Sequence, residues 1–479
     1  MAIQRRTFLQ SVGAGVALGG PFAGFVNRAP GAAAAPAFRD LRPVPDLRDG
    51  VVRLHLPADF QYRSFHDTTT PVVLDDGTVL PGRHDGMGTF PGPGGRTRLV
   101  RNHEINNPAP AFSSAAPVYD PMAGGGTTNV EVDGTGVVAA SWASLVGTQM
   151  NCSGGQMPWG SWITCEETVN GPDVGPDFTG ASNVPLTKPH GFVFEVPADG
   201  TASGEPIRSA GRFAHEAVAW DPVGGALYLT EDNFVFPSGF YRYLPPSDPM
   251  EVGRLEDGGR LQMLRVVGQA RADLGARQRQ RATYRVDWVD IEDPAPSFPY
   301  TPGEVAPTSN DTAIQHVSRQ GLEQGAARFS RLEGCAYDDG VVYFCSTQGG
   351  GVPEGGPNPV DDGWGTGFGQ IWAYRIADQV LQLLYQSPGR DVLDFPDNVT
   401  TSARGTLVVC EDHDQDNYLR GLTRGGQIFD IALNRMEGRT GDEFAGTTFS
   451  PDHQTLFVNI QASRGMTFAI WGPWHRIRV

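Results

Sequence analysis

The sequence NCSGGQMPWGSWITCEE at residues 151–167 predicts how the rest of the chain is organised. Its first glycines predict a tight loop, and the aromatic and β-branched run from Trp159 to Thr164 predicts a strand. Glu166 and Glu167 follow where that strand ends. Two adjacent carboxylates repel each other and need a counter-charge, which a metal cation would supply.

Five other stretches repeat this pattern of a short apolar strand that ends in polar or acidic residues. They are 99–104 (LVRNHE), 227–232 (LYLTED), 341–347 (VVYFCST), 406–412 (TLVVCED) and 456–461 (LFVNIQ). Ile163 and Tyr228 lie 65 positions apart, and so do Tyr343 and Val408. A repeat of this length with several short strands predicts an all-β fold, a six-bladed β-propeller. Because the innermost strands of a propeller line its channel, acids at equivalent strand ends would meet there.

One interval departs from this period and predicts an insertion. Tyr228 and Tyr343 lie 115 positions apart, which is 50 more than one repeat. We place the insertion at about residues 245–330 and expect it to be partly helical, with Asp311 as the N-cap of a helix over 311–329. An insertion on one face of a propeller is a candidate lid or site wall.

Composition and charge narrow the function classes. The chain has 479 residues, and its 62 glycines and 38 prolines favour many turns and little helix. The formal net charge of −17 argues against nucleic acid as a partner, because phosphate backbones are bound by Lys and Arg. The negative charge is either a solvated surface or is neutralised in part by bound cations.

The N-terminus predicts an export signal. Arg5 and Arg6 precede Phe8, Leu9 and a Gly/Ala-rich apolar stretch, which is the pattern of a twin-arginine signal peptide. We assign it to residues 1–36 and the propeller catalytic domain to residues 37–479. The glycines and Pro21 make a stable membrane span unfavourable. The prediction is a folded protein exported to the periplasm or the exterior; a disordered basic tail is the alternative.

The five cysteines include one that stands out. An odd number in an exported chain leaves at least one free thiol. Cys152 lies in a polar, Gly-rich stretch just before the paired acids, where a thiolate would be a strong ligand for iron or zinc. A nucleophilic role is the alternative. The others, Cys165, Cys335, Cys345 and Cys410, are predicted to be small core residues.

Three further stretches carry candidate site residues. Glu216 begins an apolar run one strand before the acids at 231–232. Arg331 and Glu333 are two apart, so on a strand they point the same way and form either an anion clamp or an ordinary surface pair. The Gly-rich loop before Asn129 either approaches an anion or is a plain turn. The dipeptide Asp85-Gly86 predicts a hairpin turn.

Several of these strings, taken in order, resemble the PhoX family of secreted alkaline phosphatases. They are NCSGG, WITCEE, FSRLEG, PDN and CED, together with the twin-arginine signal. The resemblance implies a six-bladed propeller whose channel holds two irons and three calciums bridged by an oxo group. It implies that Cys152 is the thiolate ligand to iron, that Glu216 and Glu333 bridge metals, and that Arg331 and Asn129 hold the phosphate. The remaining metal ligands that it implies are Glu166, Glu167, Glu231, Asp232, Glu411 and Asp412.

The resemblance and the residues together predict a metal-dependent phosphatase that hydrolyses phosphate monoesters with Fe(III) and Ca2+. The catalytic residues would be Arg331, Asn129, Cys152 and Glu333. The expected partners are small phosphoesters and the twin-arginine export machinery, and the expected state is a monomer. Two alternatives stay open: a calcium-dependent phosphotriesterase or lactonase, and a non-catalytic secreted propeller that uses metals only for rigidity.

Overall fold

The computed structural model describes residues 40–106, 108–247, 254–353 and 363–479. The predicted signal peptide at 1–36 lies outside these residues. Within the part described, short antiparallel strands follow one another with few helices. Strands β1 (Arg42–Pro45), β2 (Val52–Leu56) and β3 (Gln61–Phe65) come first, and six blades of a propeller follow in chain order.

The blades share one arrangement, with the first strand innermost. Blade 1 contains β4 (His84–Pro91), β5 (Thr97–His103), β6 (Gly125–Val132) and β7 (Val138–Thr148). Blade 2 contains β8 (Asn151–Met157), β9 (Ser161–Glu166), β10 (Val193–Pro197) and β11 (Pro206–Ile207). Blade 3 contains β12 (His215–Asp221), β13 (Ala226–Glu231), β14 (Phe240–Leu244) and β15 (Arg260–Val266).

The second half continues in the same way after β16 (Thr283–Asp290), α1 (Asn310–Ile314) and α2 (His316–Glu323). Blade 4 contains β17 (Leu332–Asp338), β18 (Val341–Ser346), β19 (Gln370–Arg375) and β20 (Val380–Gln386). Blade 5 contains β21 (Pro396–Thr401), β22 (Leu407–Glu411), β23 (Tyr418–Leu422) and β24 (Ile428–Asn434). Blade 6 contains β25 (Glu443–Phe449), β26 (Thr455–Gln461) and β27 (Met466–Trp471). The predicted all-β, six-bladed propeller is confirmed.

The ring closes through the N-terminal strands. Strand β3 pairs antiparallel with β27, with Phe65 opposite Thr467, so it supplies the fourth strand of blade 6. Strand β2 adds to blade 5 through β24. The innermost strands β4, β8, β12, β17, β21 and β25 each contact the next one, and β25 contacts β4. Strands from the two ends of the propeller sequence are thus paired in one blade, so that the sheet edge of β27 is covered.

The interval that was predicted as an insertion holds both a blade strand and an extra element. Strand β15 completes blade 3, and β16 pairs with both β15 and β20, so blades 3 and 4 form one continuous sheet. The helical part is two short helices instead of one. The N-cap of α1 is Ser309, whose hydroxyl accepts a hydrogen bond from the Thr312 N–H, and Asp311 lies inside the first turn.

Apolar cores lie between neighbouring blades. Phe240 of blade 3 stacks on Phe344 of blade 4 with ring centroids 4.3 Å apart. Tyr119, in the connection between β5 and β6 of blade 1, packs edge-on against Phe194 of blade 2, with ring centroids 4.9 Å apart. Because each core is shared by two blades, the ring of innermost strands is held rigidly. In the residues described, no helix is long and apolar enough to cross a membrane.

Candidate active site

The innermost strands share an irregularity that points side chains into the channel. In each of the six, two residues interrupt the pairing with the second strand of the same blade. Such a bulge turns a side chain out of the regular alternation. The first residues of the six bulges are Asp85, Cys152, Glu216, Glu333, Asp397 and Gly446. We call the first five the bulge residues; five blades thus present a metal-binding type of side chain, and blade 6 presents a glycine.

A second set of side chains comes from the ends of the second strands. In blades 1 to 5 the residue that follows the second strand donates its backbone N–H to a backbone carbonyl. That carbonyl belongs to the residue just before the innermost strand of the same blade, and the N···O distance is 2.9–3.0 Å. These residues are Glu104, Glu167, Asp232, Thr347 and Asp412. We call the four carboxylates the strand-end acids. The repeated hydrogen bond fixes them at the same end of the channel as the bulge residues.

The two sets converge on two overlapping groups of ligand atoms. One atom each from Cys152, Glu167 and Glu216 lie within 4.8 Å of one another, and so do atoms from Glu216, Glu333 and Asp397. Glu216 belongs to both groups. The first group combines a soft sulfur with carboxylates, which suits a transition metal such as iron, and the second is all oxygen, which suits a hard cation such as calcium.

The electrostatics of the cluster call for positive charge. Burial, together with the negative charge of neighbouring acids, raises the pKa well above its usual value in Asp85, Glu216, Glu333, Asp397 and Glu443. Burial and the same neighbours raise the pKa of the Cys152 thiol. Carboxylates this close are stable only as protonated acids or beside cations. The donor set therefore fits bound metal ions.

Two arginines at equivalent positions supply part of the counter-charge. Arg331, just before β17, is 5 % exposed. Its guanidinium donates to Asp232 at 2.7 Å and to Glu333 at 2.9 Å. Arg83, just before β4, pairs with Glu104 and also donates to Gln461 at 3.3 Å. Arg331 and Glu333 are in contact, but strand alternation is not the reason: Arg331 precedes β17 with a φ of 45°, and Glu333 lies in the bulge.

Three predicted ligands are not brought into the cluster. Glu166, Glu231 and Glu411 each precede a strand-end acid, and neighbouring residues of a strand point to opposite faces. Glu166 accepts hydrogen bonds from the backbone N–H groups of residues 149, 191 and 192 at 2.8–3.1 Å. Glu231 accepts from the Tyr241 hydroxyl at 2.8 Å, and Glu411 from Arg420 at 2.8 Å. These carboxylates brace the blades.

Asn129 is also far from the bulge residues in the fold. It lies in the middle of β6, the third strand of blade 1. Its side-chain amide donates to the carbonyls of Pro197 and Ala198, each at 3.0 Å. The amide thus ties blade 1 to a turn of blade 2, and the structure does not place it beside Arg331.

Several residues of the cluster were not among the predicted ligands. They are Asp85, Arg83, Glu104, Asp397 and Glu443. Asp85-Gly86 was predicted to be a hairpin turn, but it forms the bulge of β4. Gly86 is required there because a Cβ would meet the Ser153 backbone at 2.5 Å. The usable signal was spacing: each bulge residue precedes the strand-end position of its blade by 14 to 19 residues.

The other end of the channel is a cavity of different character. It has a volume of about 400 Å³ and is lined by residues of all six innermost strands, among them Trp220 and Tyr337, and by Trp162 of the second strand β9. Among the described residues that line it, none carries a charge. The acids and arginines of the described residues therefore lie at the opposite end, which we call the acidic end of the channel.

The buried side chain of His190 lies between the carboxylates of Glu166 and Asp120. The Nδ1 of His190 lies 2.5 Å from Glu166, and its Nε2 lies 3.5 Å from Asp120. Burial alone would lower the pKa of His190, but Glu166 and Asp120 outweigh it and raise that pKa to about 9. The imidazolium is thus the stable form at neutral pH.

This arrangement predicts a pH-dependent stability. A raised pKa stabilises the fold fully below about 6.5, and that stabilisation is lost as pH rises through about 9. The full effect is on the order of 3 kcal/mol. We expect the melting temperature of His190→Gln to fall less than that of the parent protein between pH 7 and 10 in thermal scans. Parallel curves would contradict this account.

Comparison with known proteins agrees with this architecture. The family described as alkaline phosphatase PhoX matches residues 38–138 and 134–463. No curated protein matches the chain. Among solved structures, Pseudomonas fluorescens PhoX in complex with vanadate, a transition-state analogue, superposes with a TM-score of 0.62 at 17% identity, covering 91% of this chain and 98% of that one. At this identity the likeness shows a common fold.

Two other solved structures show weaker likenesses. A gluconolactonase from Xanthomonas campestris has a TM-score of 0.40 at 12% identity, with 90% of this chain and 98% of that chain covered. A virginiamycin B lyase from Staphylococcus aureus has a TM-score of 0.38 at 11% identity, with 86% and 99% covered. Neither supports a statement about function.

Proposed function

Since this chain belongs to the alkaline phosphatase PhoX family, we propose that it hydrolyses phosphate monoesters at a metal cluster in the acidic end of the channel. The observation that carries the proposal is the pair of ligand groups that share Glu216. A set of buried acids with raised pKa values that faces a channel is typical of a catalytic metal site.

The donor atoms of the two groups favour two different kinds of cation. In our proposal Cys152, Glu167 and Glu216 hold Fe(III), and Glu216, Glu333 and Asp397 hold Ca2+. We propose the strand-end acids Asp232 and Asp412 as further metal ligands. When bound, such ions polarise a phosphoryl oxygen and offset its charge. Glu166, Glu231 and Glu411 brace the blades in this proposal and do not bind metal.

Arg331 binds and orients the phosphate in this scheme. Its guanidinium presents several N–H donors in one plane, which match two phosphate oxygens at once. Asp232 and Glu333 hold that plane at the channel. Donors fixed in advance stabilise the charge that builds on the phosphoryl oxygens in the transition state. Lys188, the only lysine of the chain, lies over the Tyr119 ring, so arginine must supply this role.

We expect Arg331→Lys to lower kcat/KM for a phosphate monoester by about a hundredfold, because lysine lacks the planar pair of donors. Inorganic phosphate and vanadate should inhibit this variant more weakly. Arg420→Lys is the matched control, since Arg420 is also 5 % exposed and also pairs with a buried glutamate. Equal losses in the two variants would contradict the role of Arg331.

The proposed function is tested by phosphate release from a monoester at alkaline pH, with and without a chelator. We expect turnover that the chelator abolishes. Hydrolysis of lactones or phosphotriesters without monoester hydrolysis would favour a calcium-dependent phosphotriesterase or lactonase. No turnover of any of them, with ligand binding unchanged by the chelator, would favour a binding propeller.

We also propose that the protein acts as a monomer after folded export by the twin-arginine route to the periplasm or exterior. Export after folding would let the metals be inserted before the chain leaves the cytoplasm. All five cysteines are free and buried, which protects them in an oxidising compartment.

A further inference from the structure

An aromatic side chain lies directly beside the proposed phosphate-binding arginine. Phe234 follows the strand-end acid Asp232, and its ring centre is 4.9 Å from the guanidinium carbon of Arg331. The short loop that carries it is fixed: the Asn233 N–H donates to the Ser238 hydroxyl at 3.0 Å, and Asn233 accepts from the Phe236 N–H at 3.1 Å. Phe234 is therefore held in place next to the proposed phosphate-binding side chain of Arg331.

A second ring extends this surface outward. Phe178, in the loop between β9 and β10, stacks on Phe234 with ring centroids 6.0 Å apart and an interplanar angle of 29°. Phe178 remains 45 % exposed. Its loop is braced by Asp177, whose carboxylate accepts from the backbone N–H groups of Thr179 and Ala181, each at 2.9 Å. A well-fixed loop thus keeps part of a large apolar side chain in water.

The order of these groups suggests what they bind. From Arg331 through Phe234 to Phe178, the site changes from cationic to aromatic and from buried to exposed. We propose that Phe178 and Phe234 form a stacking subsite for an aromatic leaving group, so that the preferred substrates are aryl or heteroaryl phosphates. This inference rests on the proposed function and adds a substrate class to it.

The expected selectivity follows from ring stacking. An aromatic pair contributes roughly threefold to tenfold in affinity beyond simple area burial. A small aliphatic leaving group such as glycerol cannot stack and gains little from this surface. The enzyme should therefore discriminate mainly through KM, because the stacking contact is made before the reaction as well as during it.

The test compares phenyl phosphate with glycerol phosphate in the full-length metal-loaded protein. We expect Phe178→Ala and Phe178→Leu to lower the ratio of kcat/KM for phenyl over glycerol phosphate by about threefold to tenfold, and Phe178→Tyr to preserve it. Leucine keeps the apolar character but cannot stack. Val223→Ala is the control, since Val223 is 90 % exposed on a turn at the far end of blade 3.

A binding measurement supports the comparison independently of turnover. Phenylphosphonate should inhibit the parent protein more strongly than methylphosphonate, and this difference should shrink in Phe178→Ala. If the ratio of kcat/KM and the ratio of inhibition constants are both unchanged in the Phe178 variants, the subsite is refuted. If the parent protein hydrolyses neither phosphate, the proposed function itself fails.

Discussion

Glu216→Gln is expected to reduce phosphatase activity by about a thousandfold or more, the largest loss of any single substitution in the cluster. Glu216 belongs to both groups of ligand atoms, so its replacement weakens two cation sites together. Because burial and neighbouring acids already raise the pKa of Glu216 well above its usual value, a neutral amide should cost the metal-free fold little. The variant should therefore be folded and inactive, as measured by circular dichroism and phosphate release.

Glu231→Gln is the matched control for this substitution. Glu231 lies in the same blade and is equally buried, but its carboxylate accepts from the Gly239 N–H and the Tyr241 hydroxyl, each at 2.8 Å. Its replacement should lower the melting temperature and leave the activity of the folded protein within a few fold. If both substitutions inactivate the protein equally, the loss of activity does not depend on whether the glutamate belongs to the ligand groups.

Removal of the cations is expected to destabilise the whole propeller. Ligands that bind only the folded state stabilise it by mass action, so a strong chelator should lower the melting temperature by about 5 °C or more at pH 8. The bulge residues come from five blades, so the loss should appear as one cooperative shift of the whole transition in thermal scans. Addition of iron and calcium should restore the original value.

The same experiment has a predicted pH dependence. Without cations, acids whose pKa is raised in the folded state, such as Glu216 and Glu333, stabilise the fold at low pH. That stabilisation is lost as the pH rises from about 4.5 toward their folded-state pKa values. The melting temperature of the chelated protein should therefore fall between pH 5 and 9 more steeply than that of the metal-loaded protein. A chelated protein with an unchanged melting temperature and slope would contradict a cation-stabilised cluster.

The repeat could be predicted from the sequence because it depends on local patterns. Six short apolar strands that end in polar or acidic residues, with two intervals of 65 residues between them, were enough to predict a propeller with six blades. The boundaries of the interval 245–330 could not be found in this way. Strand β15 has no acid at its end, and the pairing of β16 with β20 depends on contacts between blades.

The candidate site was predictable only in part. The pairs 166–167, 231–232 and 411–412 were found, but which carboxylate faces the channel depends on strand register and on the bulge beside it. Asp85-Gly86 has the composition of a turn, and only the approach of the Ser153 backbone reveals why glycine follows the acid. Asn129 has the chemistry of an anion ligand, but its place in the third strand of its blade directs it to backbone carbonyls.

The central claim is that the bulge residues and strand-end acids hold several cations around Glu216. Metal content per chain, measured by mass spectrometry on parent, Glu216→Gln and Glu231→Gln proteins after extensive dialysis, tests it most directly. We predict iron and calcium in the parent and in Glu231→Gln, and a loss of both in Glu216→Gln. An active parent protein without bound metal, or the same metal content in all three, would contradict the account.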